Sequence, residues 1–236
     1  MIENNNNYVY SQPQSEPASL SHMLTGVMQG VYMYMFIGLM ATAFASYTAF
    51  SHIPLRIWVM ESFLVLIIVE LVLVFALGFF IHKMPFAASL GIFLGYAILN
   101  GLTLCGIFIV YEMGSIAAAF FTTALTFGIM SAYGYFAKKD LTGIGSLCFM
   151  GLIGIIIAMV INMFLGSETM DYIISAVAIL VFIGLTAYDT QKIKKRLSEE
   201  SNELAIKRIT IWGALQLYLD FINIFLHLLR FMGKRN

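Results

Sequence analysis

Charge is what this chain lacks most. Lys, Arg, Asp and Glu make up 11% of its 236 residues, and 13 basic side chains balance 13 acidic ones. Without a basic excess there is no electrostatic footprint for nucleic acid, and no nucleic-acid partner is expected. Cysteine is almost absent too. Cys105 and Cys148 lie inside apolar runs with no ligand cluster around them, which suits small apolar fillers better than redox or zinc chemistry. No Walker loop, nucleophile elbow, HExxH or GxGxxG stands in the context that would give it meaning. A soluble-type catalytic centre therefore has no support, and neither an enzyme nor a bound cofactor is expected.

What is present is apolar. Hydrophobic residues make up 60% of the chain and the mean hydropathy is +0.87, a composition that water would not dissolve and a bilayer would. Seven runs are long enough to cross about 30 Å of hydrocarbon as helices: 27–50, 57–81, 86–111, 116–137, 144–165, 172–190 and 208–230. They are continuously apolar instead of alternating, which excludes a barrel and predicts an all-α integral membrane protein. Residues 26–236 are expected to form one seven-helix domain. Residues 1–25, rich in Asn, Gln, Ser and Pro and free of Lys and Arg, are expected to be a disordered cytoplasmic tail and not a cleavable signal. The charged stretch "KIKKRLSEESNELAIKR" before the last run reads as the one substantial loop and a candidate extramembrane helix. Counting Lys and Arg in alternate connections gives nine on the N-terminal side and four on the other. That places the N-terminus in the cytoplasm and the C-terminus outside.

The last run carries the chemistry. In "RITIWGALQLYLDFINIFLHLLR" the positions Gly213, Gln216, Asp220, Asn223, His227 and Arg230 follow one another at intervals of three and four, a single helical stripe. An acidic residue at the centre of such a helix costs about 2.5 to 3.5 kcal/mol against lipid. The stripe is therefore expected to face other helices or a wet cavity. The second run holds Glu61 near its outer end and Glu70 near its middle, so that Glu61 matches the depth of Arg230 and Glu70 that of Asp220. "GLTAYDTQKIKKR" places Asp189 where apolar helix meets basic loop. Desolvation and mutual repulsion both disfavour ionised carboxylates. Asp189 and Asp220, if close, would share a proton and, when both ionise, separate or hold a hard cation such as calcium, since oxygen ligands without His or Cys suit calcium and not zinc. The competing view is that each acid simply hydrogen-bonds a neighbouring helix. Three acids on top of a polar stripe favour function.

Lesser signals complete the reading. Gly26 with Gly30, and Gly91 with Gly95, have the small-residue spacing that lets membrane helices approach closely. His22, His52 and His82 sit at span edges and read as interfacial. Asn100 and Asn162 read as caps or bridges between helices.

"GLTAYDTQKIKK", the charged stretch after it and "ALQLYLDFINIFLHLLR", together with "ELVLVF" in the second run, resemble the signature of the Bax inhibitor-1 family in its bacterial branch. The resemblance covers nearly the whole chain after the tail. It implies six helices surrounding a central polar seventh, and a pH-sensitive calcium leak in the bacterial inner membrane. It also implies a gate of two aspartates matching Asp189 and Asp220, with an outer latch between Arg230 and a second-run glutamate that matches Glu61. Where some members carry an arginine inside the second run, this chain has Glu70 and no arginine beyond Arg56. Two other classes stay open: a regulator that binds and modulates a membrane protease, and a proton-coupled transporter. On all three readings the partners are the bilayer, protons and, for a leak, calcium.

Overall fold

The computed structural model of the chain describes residues 17–81 and 83–236, with side chains from Leu24 onward. Of the expected tail, residues 1–16 lie outside the described residues, as do the side chain of His22 and all of His82. From Pro17 the chain is already helical. The elements are α1 (Pro17–Ser51), α2 (Ile53–Glu61), α3 (Phe63–Phe80), α4 (Phe86–Leu104), α5 (Ile107–Val110), α6 (Met113–Phe136), α7 (Thr142–Leu165), α8 (Glu168–Glu199) and α9 (Glu203–Met232). Seven of these, all but α2 and α5, are long and apolar enough to span a membrane. The only β-type pairing among the described residues is an isolated bridge between Tyr111 and Arg235.

The turns are built from local chemistry. α7 ends at Gly166, which adopts φ 63°, the left-handed cap that a side chain resists. Ser167 then caps α8 by accepting from Met170 N. Asn162 stitches this corner, donating to the Ser167 carbonyl at 3.1 Å and to Asp171 at 2.7 Å. It is thus the helix bridge the sequence suggested. Asn202 caps α9 by accepting from Leu204 N and Ala205 N.

Two boundaries differ from those the sequence suggests. The charged stretch after Asp189 is not a loop, because Gln191–Glu199 continue α8 and only 200–202 connect it to α9. At 32 residues, α8 is about 48 Å long, so its basic end projects beyond a hydrocarbon layer of roughly 30 Å. The second span is broken at Ser62, which leaves Glu61 as the last residue of the short α2.

α9 is the most enclosed helix. Leu217, Tyr218 and Ile224 have no exposed surface, and α1, α4, α6 and α8 pack directly along it. Of the six expected neighbours, α3 instead packs on α4 and α7 on α8. Between these two outer helices the polar stripe of α9 faces a cavity. Close helix contacts occur at Gly134, where a β-carbon would meet the Ala187 carbonyl of α8, and at Gly101, where it would meet the Thr42 carbonyl of α1. The glycine pairs picked out by spacing do not serve this purpose. Among the described residues, Gly26, Gly91 and Gly95 have no atom within 4 Å of such a β-carbon, and Gly30 has only the Thr210 methyl at 3.4 Å.

Candidate functional site

A cavity of about 860 Å³ runs between α3, α7, α8 and α9. On α9 its wall extends from Trp212 to His227, a rise of about 22 Å, and includes Gln216, Asp220 and Asn223. α8 contributes Asp189 and Lys192. Four of the six stripe residues, Gln216, Asp220, Asn223 and His227, thus line one cavity, whereas Gly213 packs against Ile193 of α8. The opposite side of α9 is the more deeply buried one, held by Tyr218 and Leu229.

Asp189 and Asp220 both reach this cavity and both are buried, with 6% and 4% of their surface exposed. Each lies within electrostatic reach of other charge: Asp220 faces Asp189, and Asp189 faces Lys192 and Arg196. One oxygen of Asp220, Oδ2, is buried without a hydrogen-bond partner among the described residues. A buried carboxyl oxygen in that condition is costly unless a proton, a cation or water reaches it.

The placement of Asp189 is enforced from behind. Gly134 lets α6 lie against the α8 backbone at Ala187, two residues before it. Two residues after it, Gln191 accepts from Leu141 N at 2.8 Å and donates to the Lys139 carbonyl at 2.8 Å and the Ala137 carbonyl at 3.3 Å. Thus the α6–α7 connection is tied to α8 right beside the acid. Lys194 adds a bond to the Tyr135 carbonyl at 2.8 Å. Sequence reasoning missed Gly134 and Gln191. Gln191 was visible as the one neutral amide in a basic run, but nothing in the run said what it would hold.

The remaining stripe residues are accounted for as follows. His227 is buried, stacks on Phe182 with ring centroids 6.3 Å apart, and lies 3.4 Å from the Ser175 hydroxyl. Asn223 donates back to the Leu219 carbonyl at 2.8 Å. Gln216 is half-buried on the cavity wall.

Two expected placements are not found. Glu70 does not join the stripe. It accepts from Thr103 Oγ1 at 2.9 Å and Asn100 Nδ2 at 3.2 Å, both on α4. Asn100 in turn accepts from the Tyr218 hydroxyl at 3.1 Å, and that hydroxyl shares a 2.7 Å bond with Thr42 of α1. This second network lies behind α9, since Tyr218 and Asp220 project about 200° apart around the helix. Nor do Glu61 and Arg230 form a latch. No ion pair between them is present among the described residues, and Glu61 is exposed at the end of α2, ahead of the break at Ser62. The end of α9 is held instead by the chain terminus, where Lys234 pairs with Glu112 at 3.2 Å and Asn236 N donates to the Val110 carbonyl at 3.0 Å.

No group of three or more His, Cys, Asp or Glu side chains converges among the described residues. Calcium takes six to eight oxygens, so two carboxyl groups and neighbouring amides are too few to hold it as a fixed part of the structure.

A family model described as "Inhibitor of apoptosis-promoting Bax1" matches residues 24–236. The chain belongs to the Bax inhibitor-1 family. Among its relatives, the inner membrane protein YbhL of Escherichia coli strain K12 is 43% identical over 213 residues, covering 88% of this chain and 91% of YbhL. A Borreliella burgdorferi protein is 41% identical over 209 residues, covering 87% and 90%. The membrane protein SpyM3_0260 of Streptococcus pyogenes serotype M3 is 41% identical over 169 residues, covering 72% and 73%. The match takes in every membrane-crossing helix, α9 and its polar stripe included.

Proposed function

We propose that this Bax inhibitor-1 family protein is a pH-sensitive calcium leak of the bacterial inner membrane, with Asp189 and Asp220 as the proton-operated gate. The observation that carries the reading is the meeting of two buried carboxyl groups on one long cavity, with the Oδ2 of Asp220 left without a protein partner. Two acids within electrostatic reach of each other in a low dielectric do not readily ionise together. With one proton between them they hold α8 to α9. With none they repel, and a hydrated divalent cation becomes the natural counter-charge. The name of YbhL supports the inner membrane as the location. The nine-to-four bias of basic residues supports a cytoplasmic N-terminus and an outer C-terminus, which puts Asp189 nearer the cytoplasmic mouth.

The test is calcium entry into liposomes containing the purified protein, followed with an internal indicator from about pH 6 to 8, a range set to bracket buried carboxyl groups. The expected result is flux above protein-free liposomes that changes with pH when both sides are held equal. Absence of flux would contradict a leak and favour a regulator of a membrane partner. Flux that appears only under an imposed proton gradient would favour a proton-coupled transporter.

A further inference from the structure

The cavity has a second character. Opposite the polar stripe its wall is apolar, formed by Leu71 and Val74 of α3 and by Phe149, Leu152, Ile156 and Met159 of α7. Of these, Leu71, Phe149 and Ile156 are also about half exposed on the outside of the protein, at 51%, 58% and 48%. Side chains that line a void and also face outward mark an opening, and this one lies sideways, between α3 and α7, toward the bilayer interior. Along α7 it extends from Thr142 to Met159, about 26 Å, against roughly 15 Å for one leaflet of a 30 Å hydrocarbon layer. Its volume is within the range that encloses a drug-sized ligand, about 300 to 1,000 Å³. Water gains little against an apolar wall, whereas an acyl chain from the adjoining leaflet fits it.

At the basic end the chemistry changes. Lys192 lies on the cavity wall, with its ammonium 5.2 Å from the Tyr188 ring and 5.3 Å from the Trp212 ring. The Arg196 guanidinium covers the same indole at 4.5 Å. Neither cation forms a salt bridge among the described residues. Ser146 brings a hydroxyl to the same cavity, while the Thr142 hydroxyl is taken up by Asp140. Asp189 is one turn deeper on α8, behind Lys192. Two cations held over one indole, at the entrance of an acyl-sized slot, complement a phosphate at the end of a hydrocarbon chain.

We propose that the α3–α7 opening binds one anionic phospholipid of the inner leaflet, with its phosphate between Lys192 and Arg196 over Trp212 and one acyl chain in the slot along α7. The seated chain covers the acid pair from the side, so the lipid shares its cavity with the ion path. The site itself does not depend on calcium passing through it, and its test does not involve flux.

Native mass spectrometry of the purified protein, titrated with phosphatidylglycerol and separately with phosphatidylcholine, decides the matter. The expected result is one retained phospholipid per chain, with phosphatidylglycerol preferred roughly 25-fold, at about fivefold for each cation near the headgroup. The double variant Lys192→Gln/Arg196→Gln should retain a phospholipid but lose the preference. Ile156→Trp, which fills the slot, should lose both lipids while α9 stays folded by circular dichroism. Absence of a retained lipid, or equal retention of the two headgroups in wild type and double variant, would overturn the proposal. Neither result would bear on whether the acid pair gates calcium.

Discussion

Gly134 on α6 lies so close to Ala187 on α8 that a β-carbon there would strike the Ala187 carbonyl. The contact sits one half-turn from Asp189, so it is where packing error would reach the acid pair first. Gly134→Ala should cost about 1 to 3 kcal/mol by overpacking against backbone that cannot yield. Gly91→Ala, at a position with nothing within 4 Å, should be neutral or stabilising by up to about 1 kcal/mol. Thermal unfolding of both variants in the same detergent makes the comparison. Equal effects would contradict the close approach of α6 and α8.

Tyr218 fastens the other side of α9. Its hydroxyl joins Thr42 of α1 to Asn100 of α4, and Asn100 joins Glu70 of α3. Tyr218→Phe keeps the ring contacts with Phe93 and Tyr96 and removes only the hydroxyl. The expected loss is about 1 to 2 kcal/mol, since buried polar partners are left unpaired where membrane-helix hydrogen bonds are individually modest. A double-mutant cycle with Asn100→Ala should show coupling, and strict additivity would contradict the network.

Asp140, in the α6–α7 connection, gives a pH signature outside the membrane. Hydrogen bonds from the Thr142 hydroxyl at 2.6 Å and the Thr142 backbone N–H at 2.9 Å hold its carboxyl below the usual aspartate range. A value lowered by folding stabilises the folded chain above the unfolded value, near pH 4, and that stabilisation is lost as pH falls through the folded one. Asp140→Ala should therefore melt below wild type at pH 7, with a gap that narrows on acidification below about pH 4. A gap that widened would contradict the assignment.

Cavity-lining and fully packed positions of α9 should differ in reactivity. Cysteines introduced at Gln216 and Asn223 face the cavity and should react with a small thiol reagent in the folded protein. Cysteines at Leu217 and Ile224, which have no exposed surface, should stay inert until unfolding. Equal labelling at all four positions would mean that α9 does not sit as described. Cys105 is buried and Cys148 half-buried, so both should be replaced first.

The seven crossings were legible because long apolar runs have no other stable home, and the stripe was legible because intervals of three and four can only be one helical face. What periodicity does not say is what that face meets. Periodicity leaves open whether it meets other helices or a wet cavity, and packing decides: four helices, not the six the resemblance implies, lie along α9, and Gln216, Asp220, Asn223 and His227 look into a cavity. Glu70 went astray for a related reason. Its depth was readable, but its direction is set by Asn100 and Thr103 on a different helix. Charge misled at the end of α8, where Lys, Arg, Leu and Glu without Gly or Pro are good helix formers and the helix simply continues out of the membrane. The glycine pairs at four-residue spacing had the right pattern and no partner facing them. Gly134 and Gly101, which do have partners, stand outside any such pattern.

The central claim is that Asp189 and Asp220 work as one proton-sharing unit. The direct measurement is calcium flux against pH in liposomes for wild type, Asp189→Asn, Asp220→Asn and the double variant, with folding checked by thermal unfolding. Asn keeps the shape and most hydrogen bonding but cannot titrate. The account predicts that each single variant loses or displaces the pH dependence and that the double variant is little worse than either alone, because the pair acts as a unit. Wild-type pH dependence in all three variants, with altered stability only, would contradict it.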